Sequence, residues 1–303
     1  MNPSNPVVSV NHLTCRFGKK VALDDVSIEV KRGRVFGLMG ENGAGKTTLM
    51  KHILGAMTPK QGDVRVFGID PTRNPPAVLA EIGYLSEDRA LPLWMRVTEA
   101  LRYTQAFYPK WDEAYAERLR NQFRLAPDTR IRHMSRGEKA KMGLLLALAH
   151  RPDLLLLDEP SSGLDAVARR EILAVVVRSV AEEGRTVIFS SHLLDEVERI
   201  VDDVAMIHQG KLVLHASMDD VKATHHRRIV EFAEPRSTLP DIEGVLHAEG
   251  EGREWSIISE GDAETTKSAL KAAGATIIDE STPSLDSIFV ARVVGSRDPV
   301  AVA

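Results

Sequence analysis

The sequence contains one cysteine, Cys15, among 303 residues. A single cysteine excludes an intrachain disulfide framework and a zinc site built from several thiolates, and it fits a reducing compartment. The first residues, MNPSNPVV, are polar and contain proline, so we expect no secretion signal in them.

Long hydrophobic runs are also missing. Apolar runs such as Leu144 to Ala149 fall far short of the roughly 20 residues that a membrane-spanning helix requires. If this protein works at a membrane, we expect it to meet that membrane through a partner.

The sequence has no excess of positive charge. Its formal net charge is -4 at pH 7, and no run of basic residues forms a stripe that would bind a polyanion. We therefore expect no nucleic-acid partner. With 43% hydrophobic and 27% charged residues, the composition is that of a globular protein with one large domain, or one large and one small.

What the sequence does contain is a glycine-rich turn between a strand and a helix. Residues 34–49 read RVFGLMGENGAGKTTL. The apolar run 35–39 has the length of a buried strand, and the GxxxxGK[ST] pattern after it opens onto a helix. Glycines let backbone N–H groups wrap an anion, and the start of a helix adds its positive dipole end. This stretch predicts a loop that binds nucleotide phosphates.

The residues in this loop have separate expected roles. Lys46 is expected to reach the β and γ phosphates, and the Thr47 hydroxyl is expected to bind the Mg²⁺ that accompanies ATP. Phe17 precedes the loop, and its ring either stacks on adenine or only packs within the protein. The predicted nucleotide-binding residues in this part of the chain are Phe17, Gly40, Glu41, Asn42, Gly43, Ala44, Gly45, Lys46, Thr47 and Thr48.

Strands alternate with helices up to about residue 228, which predicts an α/β fold with a mainly parallel sheet. Two short strands are predicted before the loop, at 7–14 and 27–30, and the segment 71–76 is predicted to be a bend. Further strands are predicted at 63–67, 82–85, 154–157, 186–190, 204–208 and 211–215. Helices are predicted at 98–107, 113–123, 135–150, 166–182 and 193–200.

Residues 89–150 therefore form a predicted helical subdomain. Its aromatic residues are denser than elsewhere and comprise Trp94, Tyr103, Phe107, Tyr108 and Trp111. Such a group either builds a small helical core or, together with the segment 91–95, forms a docking surface.

The composition shifts near residue 229. Strands predicted at 229–232, 255–258 and 276–279, with a helix at 263–273, indicate a small α+β domain over 229–303 after a large domain over 1–228. His225 and His226 lack carboxylate or cysteine neighbours at ligand spacing, so we expect a solvated helix end there and no metal site.

Two carboxylates follow the continuous apolar strand at 154–157. Asp158 and Glu159 stand at its carboxyl end, where α/β sheets place chemistry. A carboxylate in this place can hold Mg²⁺ or polarise a water, and the alternative for Glu159 is a purely structural partner.

Five motifs, in this order, resemble those of the ATP-binding cassette (ABC) ATPases, specifically the nucleotide-binding subunits of ABC transporters. They are similar to Walker A (GENGAGKTT, 40–48), the signature (MSRGE, 134–138), Walker B (LLLLDEP, 154–160), the D-loop (SSGLD, 161–165) and the switch histidine (SSH, 190–192). The resemblance covers residues 7 to about 226 and implies a P-loop NTPase fold with an ABC-type helical subdomain. PSLDSIF at 283–289 is similar to the C-terminal extension of cassettes that serve ABC-2 type exporters.

The resemblance implies an ATPase with assigned residues. Lys46, Glu159 and His192 are the implied catalytic residues, with Glu159 as the base that polarises the attacking water. The implied Mg²⁺ ligands are Thr47, Asp158 and Glu87, the last of which stands where the family has a glutamine.

The resemblance also implies partners. Ser135 and Gly137 of the signature are expected to bind the γ phosphate of ATP held by a second subunit, either another copy of this chain or a homologous cassette. A membrane permease subunit is the other implied partner, at the cytoplasmic face of the membrane. Arg136 and Glu138 depart from the family's LSGGQ signature, which leaves their effect on turnover open.

Two other functional classes are weighed against this one. A soluble cassette that acts on DNA or ribosomes is the alternative, but the long coiled coil, zinc modules or second cassette of such proteins are not seen in the sequence. A small-molecule P-loop kinase would not explain the signature, the D-loop or the switch histidine.

Overall fold

The computed structural model describes residues 5–88, 90–181 and 183–295, which form two compact units. The first unit takes in the described residues up to Leu193 together with Ile200–His215, and the second takes in Leu194–Arg199 together with the chain from Ala216. Residues 1–4, 89, 182 and 296–303, where several predicted ranges begin or end, lie outside the described residues. The domain boundary at 228/229 stays a prediction.

The strands and helices are numbered in chain order. The strands are β1 (Val8–Phe17), β2 (Lys20–Val30), β3 (Val35–Met39), β4 (Gln61–Val66), β5 (Ile82–Leu85), β6 (Leu154–Asp158), β7 (Thr186–Ser191), β8 (Asp203–His208), β9 (Lys211–Ser217), β10 (His225–Arg236), β11 (Val245–Glu260) and β12 (Ala275–Ser281). The helices are α1 (Lys46–Ile53), α2 (Pro75–Leu79), α3 (Val97–Gln105), α4 (Glu113–Gln122), α5 (Arg136–Leu148), α6 (Ala166–Ala181), α7 (Leu194–Val197), α8 (Met218–Thr224), α9 (Ala263–Ala272) and α10 (Leu285–Gly295).

The main sheet of the first unit has the strand order β5-β6-β7-β3-β8-β9. Its pairs from β5 through to β8 are parallel, so the carboxyl ends of these strands share one edge. Every residue of β3, β6 and β7 is buried, as expected for parallel strands covered on both faces. A second sheet, with the order β2-β1-β4, is antiparallel. This architecture confirms the predicted α/β class.

One apolar core joins these two sheets and α1. Leu13 and Leu23 from the antiparallel sheet, Phe36 and Leu38 from β3, and Leu49 from α1 are all fully buried in it. The core fixes β3 and α1 on either side of the glycine-rich turn, so the turn is held at both ends.

The first two strands are longer than the sequence predicts. β1 and β2 pair along nearly their whole length, but their register shifts at several points, including the stretch between Val10 and Leu13. His12 and Asp25 adopt positive φ angles of 50° and 56°. These bulges break the alternation of apolar and polar residues, which is why the predicted strands at 7–14 and 27–30 were too short.

The predicted bend at 71–76 is partly wrong. α2 begins at Pro75 with proline in its first turn, where the missing N–H has no intrahelical partner to lose. Further along, α3, α4 and α5 occupy the segment that the sequence predicts to be helical.

The second unit is built on the antiparallel sheet β11-β10-β12. Val230, Phe232, Trp255, Ile257 and Leu270 form its core between the sheet and α9. The structure also adds α10, which the sequence analysis did not predict as a helix.

The expectation of a solvated helix end at His225 and His226 is right about the helix end, because α8 ends at Thr224 with His225 as its C-cap, but wrong about the solvation of His225. Both residues lie in β10, which pairs with β11, and His225 is buried with 1% of its surface exposed. Burial lowers the pKa of both imidazoles. Sequence periodicity missed the start of β10 because it reads as the charged run HHRR.

Arg228 on β10 is a fully buried cation. Its guanidinium donates to Glu280 Oε1 at 2.9 and 3.1 Å, to Ser259 Oγ at 2.9 Å and to the Ala263 carbonyl at 3.1 Å. Glu280 also pairs with Lys267 at 2.9 Å. These contacts tie β12, β11 and the start of α9 to β10.

Removal of the Glu280 carboxylate should therefore destabilise the second unit. We expect Glu280→Ala to lower its free energy of unfolding by about 3 kcal/mol, because the buried Arg228 charge loses its counter-ion. Urea unfolding monitored by Trp255 fluorescence, with Trp94 and Trp111 replaced by phenylalanine, measures the change.

Glu264→Ala is the matched control, since Glu264 pairs with the same Lys267 at 3.0 Å but lies on the surface. A surface pair contributes little, so this change should cost less than about 1 kcal/mol. Equal losses in the two variants would show that the Arg228 pair does not stabilise the unit.

Candidate functional site

The glycine-rich turn after β3 depends on two glycines that no other residue can replace. Gly40 and Gly45 have φ angles of +148° and +121°. A Cβ atom would lie 2.2 Å from the Ile207 carbonyl oxygen at Gly40, and 2.4 Å from the Ala22 carbonyl oxygen at Gly45. The turn therefore packs against its neighbours through bare backbone, which leaves its other side open to a ligand.

A cavity of about 240 Å³ lies against this turn. It brings together most of the predicted nucleotide-binding residues, and its lining residues are Phe17, Lys20, Ala22, Glu41, Asn42, Gly43, Gly45, Lys46, Thr47, Thr48, Glu87 and Glu159. Lys20 and Ala22 were not predicted, although a lysine close to Phe17 in the first hairpin was a usable signal.

Several predicted residues do not line this cavity. Gly40 and Ala44 belong to the turn but are not among the lining residues, and Asp158 and His192 lie at the ends of β6 and β7. Ser135 and Gly137 lie at the start of α5.

Lys46 is buried and forms its contacts inside the chain. Its Nζ donates to the carbonyl oxygens of Gly40 at 2.6 Å and Glu41 at 3.2 Å, and it lies 3.1 Å from Oε1 of Glu159. With 6% and 4% of their side-chain surfaces exposed, Lys46 and Glu159 form an ion pair shielded from water. A ligand that takes the lysine must replace this carboxylate with negative charge of its own.

Ser190 organises the two carboxylates at the end of β6. Its Oγ donates to Asp158 Oδ1 at 2.7 Å and accepts from the Glu159 backbone N–H at 2.9 Å. The other oxygen of Asp158, Oδ2, is buried and has no hydrogen-bond partner among the described residues. A buried carboxylate oxygen without a partner suits a bound cation or its water shell.

Glu159 is held in an uncommon backbone conformation. Its φ angle is +48°, which is unfavourable for a residue with a side chain. Its Oε2 lies 2.8 Å from Nδ1 of His192, so this nitrogen carries the proton and donates to the carboxylate. The strained turn and the two partners, Lys46 and His192, fix the direction of the carboxylate.

The start of α5 forms a closed capping box. Ser135 Oγ accepts from the Glu138 N–H at 3.2 Å, and Glu138 Oε2 accepts from the Ser135 N–H at 2.8 Å. The backbone hydrogen bond from Ser135 holds the pKa of Glu138 below its usual value. A methyl group at Gly163 would lie 3.5 Å from Arg136 Nη1, which places this guanidinium beside residues 161–165 of its own chain.

Comparison with known proteins gives consistent relatives. A family model described as ABC transporter matches residues 23–162. The chain is 27% identical to the ABC transporter ATP-binding protein YtrB of Bacillus subtilis (strain 168). The 293 aligned residues cover 96% of this chain and 99% of the relative. It is 31% identical to the bacitracin transport ATP-binding protein BcrA of Bacillus licheniformis. The 228 aligned residues cover 75% of this chain and 74% of the relative.

A solved structure described as the ATP-binding subunit of an ABC transporter matches with a TM-score of 0.66 and 30% identity, over 71% of this chain and 92% of the other. This likeness confirms the predicted P-loop NTPase fold. Among the described residues, no helix combines the length and the apolar character needed to cross a membrane.

The geometry of Lys46 generates a binding prediction. We expect Lys46→Ala to weaken ATP binding at least tenfold and to abolish turnover, since it removes the cation that lies in the phosphate loop. Isothermal titration calorimetry with ATP measures the affinity. Lys51→Ala, an exposed lysine on the same helix, is the control and should bind ATP as the wild type does. Equal ATP affinities for the wild type, Lys46→Ala and Lys51→Ala would show that Lys46 does not bind the phosphates.

Proposed function

The chain belongs to the ABC transporter ATP-binding proteins and is an ATPase, and from this premise we propose that it hydrolyses ATP as a nucleotide-sandwich dimer to power export through separate membrane subunits. One observation carries the proposal. Lys46 and Glu159 line the cavity of about 240 Å³ against the glycine-rich turn, and His192 contacts Glu159.

ATP binding starts with a change of partner for Lys46. The phosphates enter the turn between β3 and α1, where backbone N–H groups and the start of α1 attract negative charge. Lys46 then leaves Glu159 for the β and γ phosphates. Phe17, which is 52% exposed at the cavity, is the surface on which the adenine stacks.

Glu159 is the proposed base. Once Lys46 turns to the phosphates, the Glu159 carboxylate is free to accept a proton from a water that attacks the γ phosphorus. A bond forms from the water oxygen to phosphorus as the bond to the oxygen of ADP breaks. His192 donates to Glu159 from Nδ1 and holds its orientation. A second donation, from Nε2 to the γ phosphate, requires the doubly protonated imidazolium.

The residues present fit a Mg²⁺ ion. Asp158 has a buried oxygen without a hydrogen-bond partner among the described residues, and Thr47 and Glu87 line the cavity. Oxygen ligands of this kind are those that Mg²⁺ takes in phosphoryl-transfer sites. Bound Mg²⁺ would neutralise phosphate charge, and we propose that Thr47, Asp158 and Glu87 hold it.

A second subunit completes the site. Ser135 is exposed and, like Gly137, stays outside the cavity of its own chain, so both are available to the γ phosphate of ATP held by another copy or a homologous cassette. Glu138 adds a negative charge next to Ser135 and Gly137. Arg136, beside the residues of the D-loop, supplies a positive charge at the same surface.

A groove of about 480 Å³ in the first unit is the proposed docking site for the membrane partner. Leu54, Leu79, Tyr84, Leu91 and Tyr108 are among its lining residues, which makes it largely apolar. Burial raises the pKa of Tyr84 to about 12, which reflects how far this phenol is withdrawn from water.

Close in sequence to the lining residues Leu91, Thr104 and Tyr108, the chain also carries exposed aromatic side chains. The aromatic side chains Trp94, Tyr103 and Phe107 are 70%, 54% and 65% exposed. An exposed group of this kind is typical of a protein interface. We propose that a cytoplasmic segment of the permease covers it, which would place this chain at the cytoplasmic face of the membrane.

The rival class, a soluble cassette that acts on DNA or ribosomes, has less support. The relatives described above carry the names of transporter components, and BcrA is named for the transport of bacitracin. The net charge of -4 also gives no reason to expect a nucleic-acid partner.

Glu159→Gln should separate binding from chemistry. We expect this variant to bind ATP but to lose turnover at least ~100-fold, because glutamine cannot accept the proton. The dimer should then persist, and gel filtration with ATP and Mg²⁺ should show it. The same variant with ADP should elute as a monomer, and near-normal ATPase activity would mean that another residue is the base.

Trp94→Ala should weaken the membrane complex. We expect less permease to co-purify with this variant, while its affinity for ATP stays unchanged, because Trp94 lies outside the nucleotide cavity. Val177→Ala, an exposed apolar residue on α6, is the control. Co-purification at the wild-type level would exclude Trp94 from the interface.

A further inference from the structure

The segment PSLDSIF at 283–289 has no role in the function proposed so far. In the structure it is the start of α10, in the second unit. Ser284 precedes the first residue of this helix; its Oγ accepts from the Ser287 N–H at 3.2 Å and its carbonyl accepts from the Ile288 N–H at 3.0 Å. The serine is thus an N-cap, which leaves the first N–H groups of the helix in need of acceptors.

Glu198 supplies one of these acceptors. Its Oε2 accepts from the Leu285 N–H at 3.2 Å, so a carboxylate stands at the positive end of α10. Glu198 follows α7 directly, and its own N–H donates to the Leu194 carbonyl at the start of that helix. This contact joins α10 to α7 within the second unit.

Apolar packing accompanies this contact. Leu285, Ile288 and Phe289 recur at helical spacing and are 1%, 0% and 7% exposed. On α7, Leu194 and Val197 are also buried. Both helices belong to the second unit. Residues 194–199 are part of that unit, whereas the residues directly before and after them belong to the first.

The other end of α10 is fixed as well. Arg292 Nη2 donates to Glu260 Oε1 at 2.5 Å and to His225 Nε2 at 3.2 Å. His225 is fully enclosed and lies on β10, and Glu260 ends β11. The helix is therefore bound to the sheet at its carboxyl end and to Glu198 at its amino end.

α7 begins two positions after a predicted catalytic residue. His192 is followed by Leu193 and then by Leu194, where the chain passes from the first unit to the second. A single residue, Leu193, therefore separates His192 from the first residue of α7.

We propose that the C-terminal extension positions His192 through α7, with Glu198 as the positioning residue. This inference rests on the proposed function, in which His192 orients Glu159. Loss of the contact between Glu198 and α10 frees α7, widens the range of His192 orientations and slows hydrolysis without changing the phosphate loop. The extension thereby sets the rate of ATP turnover.

Glu198→Ala in the full chain tests the inference. The structure predicts a kcat about fivefold lower with an unchanged KM for ATP, a loss of the size that a single intramolecular hydrogen bond contributes. Glu198→Gln keeps an acceptor oxygen and should restore most of the rate. Glu251→Ala, an exposed carboxylate on β11, is the control and should behave as the wild type does.

A second readout does not depend on turnover. In ¹H–¹⁵N spectra of the imidazole groups, with the His192 signals assigned from their loss in His192→Gln, Glu198→Ala should shift those signals and Glu198→Gln should leave them near their wild-type positions. A simple loss of folding would move the signals of the other histidines too, and the glutamine variant would show no rescue.

The outcomes separate the two claims. A wild-type protein without ATPase activity would overturn the proposed function. An active wild type whose kcat and His192 signals are the same in Glu198→Ala would overturn only the positioning role, as would equal defects in the alanine and glutamine variants.

Discussion

The ion pair between Lys46 and Glu159 is the interaction on which the site depends. A buried ammonium and a buried carboxylate each carry a large desolvation cost, and each is tolerated here because the other lies 3.1 Å away. The parallel sheet brings Lys46 and Glu159 together, since they follow β3 and β6, whose carboxyl ends share one edge. In the proposed mechanism ATP enters this balance as a competing anion, and the step that binds its phosphates releases Glu159 to act as the base.

Much of the fold could be predicted because its signals are local. β5 was predicted with its observed ends, and β3 and β6 were recognised as continuous apolar runs, because strands buried on both faces leave no polar position to confuse the pattern. Prediction failed where tertiary structure overrides periodicity. The bulges at His12 and Asp25 made the predicted first two strands too short. Arg228, enclosed by its partners, lies in a charged run that concealed the start of β10.

The candidate site was likewise predictable where its signals are local and unpredictable where they depend on tertiary structure. The phosphate loop and the carboxylates of β6 follow from motif and position, and the structure gathers Phe17, Lys46, Glu87 and Glu159 around one cavity. The bridge that Ser190 forms between β7 and β6 could not be read from the sequence, since it joins residues far apart in the chain. The closed capping box at α5 was also missed, although its spacing of serine and glutamate is a local signal.

The proposed ATP site is shared between two subunits. For the case in which both are copies of this chain, the most direct test is the ATPase rate per subunit as a function of protein concentration, at saturating ATP and Mg²⁺. A shared site predicts a rate per subunit that is near zero in dilute solution and rises to a plateau as dimers form. A rate per subunit that stays constant over the range in which the chain is monomeric would contradict the account, because one copy would then hydrolyse ATP alone.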